Sequence, residues 1–254
     1  MRITQGMLSN NMLNNLMNSQ SKMDKYLEQL YTGKKISRPS DDPVVAMKGM
    51  NYRAQVIEVE QFKRNTGEVH NWMDNSDASL DKATKALQRM SELAVQASNT
   101  GTQSAEERRS IREEVAQLKE HLIDIANTNV NGKYIFNGTK TDEKPVTLGE
   151  DGFLAFTTDT KPVLVEVSKG TKLQANVNPE ELFSENLFTD IDSFISKLDG
   201  DPTNMDSSIA AIDSNINNII NARADLGARM NRLELIENRL AEQEVIAKKT
   251  MSEN

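Results

Sequence analysis

Apolar residues fall every three or four positions over most of this chain, and one middle stretch departs from that spacing. In residues 1–32, Leu13, Leu16, Gln20, Met23, Leu27 and Leu30 form a heptad-like seam. Asn10, Asn11, Asn14, Asn15 and Asn18 crowd the same stretch and lower its helix propensity. The pattern predicts a helix that is marginal alone and packs either on a partner or on its own chain. Residues 33–43 break the periodicity. Gly33 suits the position just past a helix end, and Asp42 before Pro43 predicts an N-cap with proline in the first turn. Residues 44–98 lack proline and read as one long helix, with Val69, Trp72, Ser76, Leu80, Ala83, Leu87, Met90, Ala94 and Ala97 on one face. Asn65-Thr66-Gly67 marks a candidate kink and Asn99-Thr100-Gly101 an end. A further helix is expected from Ser104, where Ser104 and Glu107 have capping-box spacing. Its seam is Ile111, Val115, Leu118, Leu122 and Ile125, and it stops in Asn127-Thr128-Asn129-Val130-Asn131-Gly132.

The pattern then changes period. Tyr134, Ile135 and Phe136 read as a strand, with Asn137-Gly138 as a tight turn after it. Phe153-Leu154-Ala155-Phe156 and Val163-Leu164-Val165-Glu166-Val167 are strand-like, with Gly149, Gly152 and Gly170 at turn-like positions. Helix returns at 179–199. From Ser207 to Met251, Ile212, Ile219, Leu226, Leu233, Leu240 and Ala247 repeat every seven residues. Ile209, Ile216 and Met230 supply the second row, interrupted by Arg223, Glu237 and Glu244. Arg223 reads as a salt-bridged seam residue. The expected fold is mainly α: an elongated antiparallel helical bundle or coiled-coil rod with a small β-rich insertion at its far tip. The expected divisions are 1–43 as N-terminal helix and connector, 44–140 with 204–254 as the helical rod, and 141–203 as the insertion. The rod seam is Leu87, Met90, Ile212, Ile219, Leu226, Leu233 and Leu240.

Composition agrees with narrow seams rather than one thick core. The hydrophobic share of the 254 residues is 37% and the aromatic share 5%, below the roughly 45–50% apolar usage of compact domains. The net charge of −8 argues against general nucleic-acid binding. No apolar run approaches a membrane span. No apolar h-region follows Arg2, so export, where it occurs, is expected by a route that needs no cleaved signal. There is no cysteine, which rules out a thiolate site, and His70 and His121 are the only imidazoles, which argues against zinc catalysis or a Ser-His triad. GxxxxGK[ST], GxGxxG, GxSxG and HExxH are absent from the sequence. Asp41 and Asp42 read as helix-capping carboxylates rather than an acid–base pair. No cofactor or metal is expected. Lys34, Lys35 and Arg38 form a basic cluster in an acidic chain.

Several stretches carry a resemblance. Arg38-Pro39-Ser40-Asp41-Asp42-Pro43 resembles the SDDP signature of the bacterial flagellin superfamily, and Leu87-Gln88-Arg89-Met90-Ser91-Glu92-Leu93-Ala94-Val95-Gln96-Ala97 resembles its LQR-x-x-ELAVQA segment. Arg223-Ala224-Asp225-Leu226-Gly227-Ala228-Arg229-Met230-Asn231-Arg232 is similar to the superfamily's C-terminal R-x-x-x-G-A-x-x-N-R. Gly132-Lys133-Tyr134-Ile135-Phe136-Asn137-Gly138 resembles the G-x-Y-x-F-x-G of the hook–filament junction branch more than filament flagellin. The N-terminal Met1-Arg2-Ile3-Thr4 and Asn178-Pro179-Glu180-Glu181-Leu182-Phe183 are also similar to that branch.

The resemblance implies a structural subunit of the bacterial flagellum, extracellular and exported through the flagellar type III channel without a cleaved signal peptide. It implies as partners a hook-associated protein 1-type junction subunit, flagellin and an export chaperone, with no nucleic acid and no membrane. Assembly packing would fall to Leu13, Leu16, Met23, Leu27 and Leu30, with Lys34, Lys35, Arg38, Asp41 and Asp42 meeting neighbouring subunits. Arg89, Leu93 and Glu114 match a flagellin face read by a host innate immune receptor; the alternative is that they only pack the next subunit. A short self-polymerising flagellin is the other structural reading. A metalloprotease insertion lacks its HExxH, and a cytoplasmic coiled-coil adaptor would not carry the flagellin motifs. The superfamily continues past its C-terminal coiled coil into a further apolar helix that pairs with the N-terminal one. The polar end Met251-Ser252-Glu253-Asn254 therefore reads as a truncation that leaves residues 1–32 without that partner.

Overall fold

The computed structural model describes residues 5–36, 38–98, 105–149, 154–199 and 205–253. The helices α1 (Gln5–Thr32), α2 (Pro43–Ser98) and α3 (Ala105–Ala126) come first. Six short strands follow: β1 (Asn129–Val130), β2 (Lys133–Tyr134), β3 (Val146–Leu148), β4 (Leu154–Phe156), β5 (Leu164–Ser168) and β6 (Thr171–Gln174). The chain closes with α4 (Pro179–Leu182), α5 (Glu185–Asp199) and α6 (Met205–Glu253). Two compact units emerge. One contains Met1–Glu60 and Ala241–Asn254, the other Gln61–Leu240. These differ from the divisions at 43, 140 and 203 read from the hydrophobic pattern, because α2 and α6 each contribute to both units.

In the first unit, local chemistry sets the helix boundaries. Gly33 adopts φ 64° directly after α1, a left-handed conformation that ends a helix at little steric cost. Asp42 Oδ1 accepts from the amides of Val44 (3.0 Å) and Val45 (3.1 Å), so it caps α2 with Pro43 as its first residue. Among the described residues of this unit, Ala46, Val56 and Ala247 are the buried apolar ones, and Lys248 reaches Glu60 at 3.9 Å.

In the second unit, α2, α3 and α6 bury their stripes together. Val69, Met73, Leu80, Leu87, Met90 and Ala94 on α2 are at most 1% exposed, as are Ile212, Ile219, Leu226, Leu233 and Leu240 on α6. Cross-helix bonds fix the direction. Ser91 pairs with Asp213, Asp81 and Asp77 with Arg223, and His70 with Glu237, so α6 runs antiparallel to α2. Arg89 to Glu114 and Ser79 to Thr128 make α3 antiparallel to α2 as well. Helix α5 packs on α3 through Leu187, Phe188, Ile191, Phe194 and Leu198, with Lys119–Asp192 and Arg112–Asp199 along the seam.

The stripe differs from the expected one in phase. Trp72 is half-buried, and Met73 takes the buried place between Val69 and Ser76. Leu118 is likewise half-buried on α3. The helix is unbroken through Asn65-Thr66-Gly67. Thr66, Ser76 and Thr84 sit in the buried face and donate their hydroxyls to the carbonyls of Lys63, Trp72 and Leu80, so they need no partner across the seam. The expected stop at Asn99-Thr100-Gly101 and the capping box at Ser104 lie outside the described residues.

The strands form three separate antiparallel hairpins, β1–β2, β3–β4 and β5–β6. Here the sequence expectation shifts. The tight turn is Asn131-Gly132, both at positive φ (53° and 82°), and it joins β1 to β2 with Val130 opposite Lys133. Ile135 and Phe136 leave the strand and enter the core at 1% and 0% exposure. The expected helix at 179–199 is two helices. Asn178 caps α4, Phe183 ends it, and Ser184 Oγ accepts from Leu187 N to start α5. The break sends Phe183 into the core, edge-on to Phe136 with ring centroids 5.2 Å apart.

The β region does not stand at a far tip of the unit. It lies against the flank of α2 and α6, where Asn65 donates to the Glu166 carbonyl, Arg229 to the Asn176 carbonyl and Arg239 to Ser168 Oγ. Two fully buried asparagines hold its loops. Asn137 donates to the Glu143 carbonyl and accepts from Asp159 N, and Asn176 accepts from Val163 N and donates to the Lys161 carbonyl.

Gly138 sits at φ +52°, and a Cβ there would lie 2.0 Å from the Asp159 carbonyl oxygen. At Gly132 (φ +82°) a Cβ would meet nothing within 4 Å. Gly132→Ala should therefore cost about 1 kcal/mol, the left-handed penalty alone, and Gly138→Ala more than about 2 kcal/mol. Urea unfolding midpoints of the two variants check the order.

Candidate functional site

Among the described residues, the features that stand out are the exposed side chains of α1 and the connector that follows it. On α1, Leu13, Leu16, Met23, Leu27 and Leu30 are all more than half exposed, with Leu30 at 80%. Met12, Met17, Tyr26 and Tyr31 are exposed beside them. Apolar surface gathered on one helix in this way is characteristic of surfaces that bind a partner.

The connector after α1 is a chain of local bonds. Gln29 Nε2 donates to the Lys35 carbonyl at 2.7 Å. Arg38 N donates to Asp41 Oδ2, and the Arg38 carbonyl accepts from Asp41 N, closing a turn. Asp41 thus shapes the turn and Asp42 caps α2. Lys34, Lys35 and Arg38 are exposed and line a concavity of about 360 Å³ with Asp24, Glu28 and Asp41 of the same unit.

The seam residues Leu87, Met90, Ile212, Ile219, Leu226, Leu233 and Leu240 are buried in the second unit. Arg223 interrupts their row. Its Nε and Nη2 donate to Asp77 at 2.9 and 3.2 Å, and its Nη1 to Asp81 at 2.9 Å. These bonds from Asp77, then Asp81, raise the guanidinium pKa further above its ordinary value. Asp81 also takes a 2.6 Å ion pair from Lys85, which is the first cause of its lowered pKa, with Arg223 adding to it. Sequence reading singled out Arg223 and missed its partners. The available signal was two aspartates one helical turn apart on α2.

Of the residues matched to a receptor face, Arg89 is half-exposed and tied to Glu114 (2.7 Å) and Glu92 (3.0 Å). Leu93 is 1% exposed. It belongs to the packed interior of the second unit.

Among the described residues no group of histidines and acids could hold a metal ion, and no helix is long and apolar enough to cross a membrane.

Comparison with known proteins places this architecture. Residues 3–141 match the bacterial flagellin N-terminal helical region. This chain belongs to the bacterial flagellin family. It is 29% identical to the flagellar hook-associated protein 3 of Escherichia coli over 93% of this chain and 82% of that protein. It is 30% identical to the flagellin of Bacillus subtilis over 95% of this chain and 82% of that protein. The crystal structure of Bacillus cereus FlgL superposes with a TM-score of 0.69 at 26% identity, covering 80% of this chain and 99% of that one. Within the family the likeness runs to the hook-associated protein 3 (FlgL) branch, a structural component of the flagellum.

Two expectations follow from the Arg223 site. Arg223→Ala should lower unfolding free energy by about 1–2 kcal/mol, and Arg223→Lys should recover only part, since an ammonium cannot serve two carboxylates in a fork. Thermal or urea unfolding of the two variants checks this. Asp81 has a folded pKa below its ordinary value, so its contribution is present above the ordinary carboxylate value and is lost as pH falls through the lowered one. Lys85→Met should flatten the loss of stability in that acid window, as read by thermal melts across a pH series.

Proposed function

We propose that this chain is a structural subunit of the bacterial flagellum that joins the hook to the flagellin filament through head-to-tail packing of its helices. The observation that carries the reading is α1, a 28-residue helix whose apolar side chains lie open to solvent in a chain of this family. An isolated helix with that surface gains stability by burying it, at roughly 25 cal/mol per Å². Repeated copies and neighbouring subunits supply the partner. Residues 1–43 are then the assembly segment, and the seams of α2, α3 and α6 the supporting rod.

In this reading the partners are a hook-associated protein 1-type subunit on one side and flagellin on the other. The segment Gly132-Lys133-Tyr134-Ile135-Phe136-Asn137-Gly138 supports junction over filament through its resemblance to the G-x-Y-x-F-x-G of the junction branch. Export without a cleaved signal, with a chaperone, fits a flagellar subunit. Lys34, Lys35 and Arg38, beside carboxylates of their own chain, exchange them for carboxylates of a neighbour on assembly. Arg89 and Glu114 pack a neighbouring subunit rather than a host receptor, in keeping with the burial of Leu93.

Deletion of the gene should leave hooks intact and shed flagellin into the medium, and the wild-type gene should restore motility. Leu16→Asp with Leu27→Asp should fail to restore it while the purified variant unfolds at the wild-type midpoint, because both side chains are exposed. Filaments that still form on the deletion strain would sink the junction reading. Long filaments grown from this chain alone would establish the flagellin alternative, which the Bacillus subtilis identity keeps in play.

A further inference from the structure

The sequence contains two Asn-Gly pairs, Asn131-Gly132 and Asn137-Gly138. Chemically they are identical. In such a pair the glycine amide nitrogen can reach the asparagine side-chain carbonyl carbon, since no Cβ on the following residue shields it. The structure gives the two pairs opposite surroundings.

Asn137 is fully buried. Its Nδ2 donates to the Glu143 carbonyl at 2.9 Å and its Oδ1 accepts from Asp159 N at 3.0 Å, so both ends of the amide are held. The next residue is walled in, with the Asp159 carbonyl oxygen where a Cβ of Gly138 would be. The side chain cannot turn toward the Gly138 nitrogen without opening the core. Asn131 is exposed at the tip of the β1–β2 hairpin, and open space surrounds Gly132. Its backbone stands at φ 53°, in the turn rather than in a ladder. One restraint remains: Gly132 N donates to Asn129 Oδ1 at 2.9 Å, which engages the nitrogen that would attack.

We propose that Asn131 is the chain's site of spontaneous deamidation, with Asn129 as its brake and Asn137 protected by the fold. The Gly132 nitrogen, giving up its proton to water or hydroxide, attacks Asn131 Cγ. The new N–Cγ bond closes a succinimide ring, and the bond from Cγ to the amide nitrogen breaks. That nitrogen departs as ammonia, taking up a proton. Water then opens the ring at either carbonyl, giving aspartate or isoaspartate; nothing is oxidised or reduced. Either product adds a negative charge to the tip. Isoaspartate also inserts a methylene into the backbone of a two-residue turn, and such a turn fixes register by its length. Val130 can then no longer oppose Lys133, and the bond from Ile135 N to the Thr128 carbonyl at 3.2 Å, which leads the chain into the core, is placed under strain.

The test is incubation of the purified folded chain in mildly alkaline buffer, then proteolysis and mass spectrometry with chromatographic separation of isoaspartyl peptides. Parallel samples are held in urea. In the folded chain Asn131 should convert at least about tenfold faster than Asn137, because Asn137 reacts only from an opened state and each 1.4 kcal/mol of opening costs a decade. In urea the two rates should converge. Asn129→Ala should speed conversion of Asn131 in the folded chain and leave it unchanged in urea. Equal rates at both sites in the folded chain, or an Asn131 that converts only in urea, would overturn the proposal. An Asn129→Ala chain with the wild-type rate would remove the brake from it.

Discussion

The antiparallel packing of α2 and α6 in the second unit is the interaction on which everything else in that unit rests. It is built from a narrow stripe, one residue in three or four, so each position counts heavily. Leu80, Leu87 and Met90 face a heptad row from Ile212 to Leu240 that water scarcely reaches. A fully buried side chain of this size is worth about 1.5–3 kcal/mol. Small polar residues in the same stripe cost little, because Ser76 and Thr84 satisfy their hydroxyls on their own helix. Where a charge does enter the row, at Arg223, two aspartates from the opposite helix receive it. The heptad pattern sets how deeply the helices meet, and the Arg223 fork joins Ser91–Asp213 and His70–Glu237 in fixing their register.

That pair then serves as a wall for the rest of the unit. Helix α3 closes one side, α5 packs on α3, and the hairpins lean on the flank through backbone carbonyls that accept from Asn65 and Arg229. The hairpins are too short to hold themselves, since an isolated two-stranded ribbon is marginal in water. Their stability comes from Phe136, Phe183 and the apolar face of α5, and from two buried asparagines that tie irregular loops where no ladder can.

Function in a family of assembly subunits follows from what is left unburied. In the second unit the seams are closed. In the first, α1 keeps its leucines and methionines in solvent, and the connector's Lys34, Lys35 and Arg38 share a concavity with Asp24 and Glu28 of α1 and with Asp41. Charges this exposed contribute little to stability through any pair they form, so the connector's cluster is not what holds this unit together. The helix is a poor candidate for stability alone, for its asparagines work against it.

The amino-acid sequence by itself determined the long helices, their buried stripes and the caps at Gly33 and Asp42, because these depend on neighbours within one or two turns. It also carried the family, through local motifs at 38–43, 87–97 and 132–138. It placed Arg223 as an ion-paired member of the seam without its partners, since Asp77 and Asp81 lie far away in the chain and only the register of α2 on α6 joins them. The phase slip from Trp72 to Met73 has the same origin: periodicity locates a face to within a residue, and packing selects which residue fills it. Tertiary structure alone decided that Phe136 and Phe183 would leave their expected strand and helix for one another, and that Leu93 would be covered. It also laid the hairpins along the flank rather than at the tip. In each case contacts distant in sequence outweighed a local preference worth only about 1 kcal/mol.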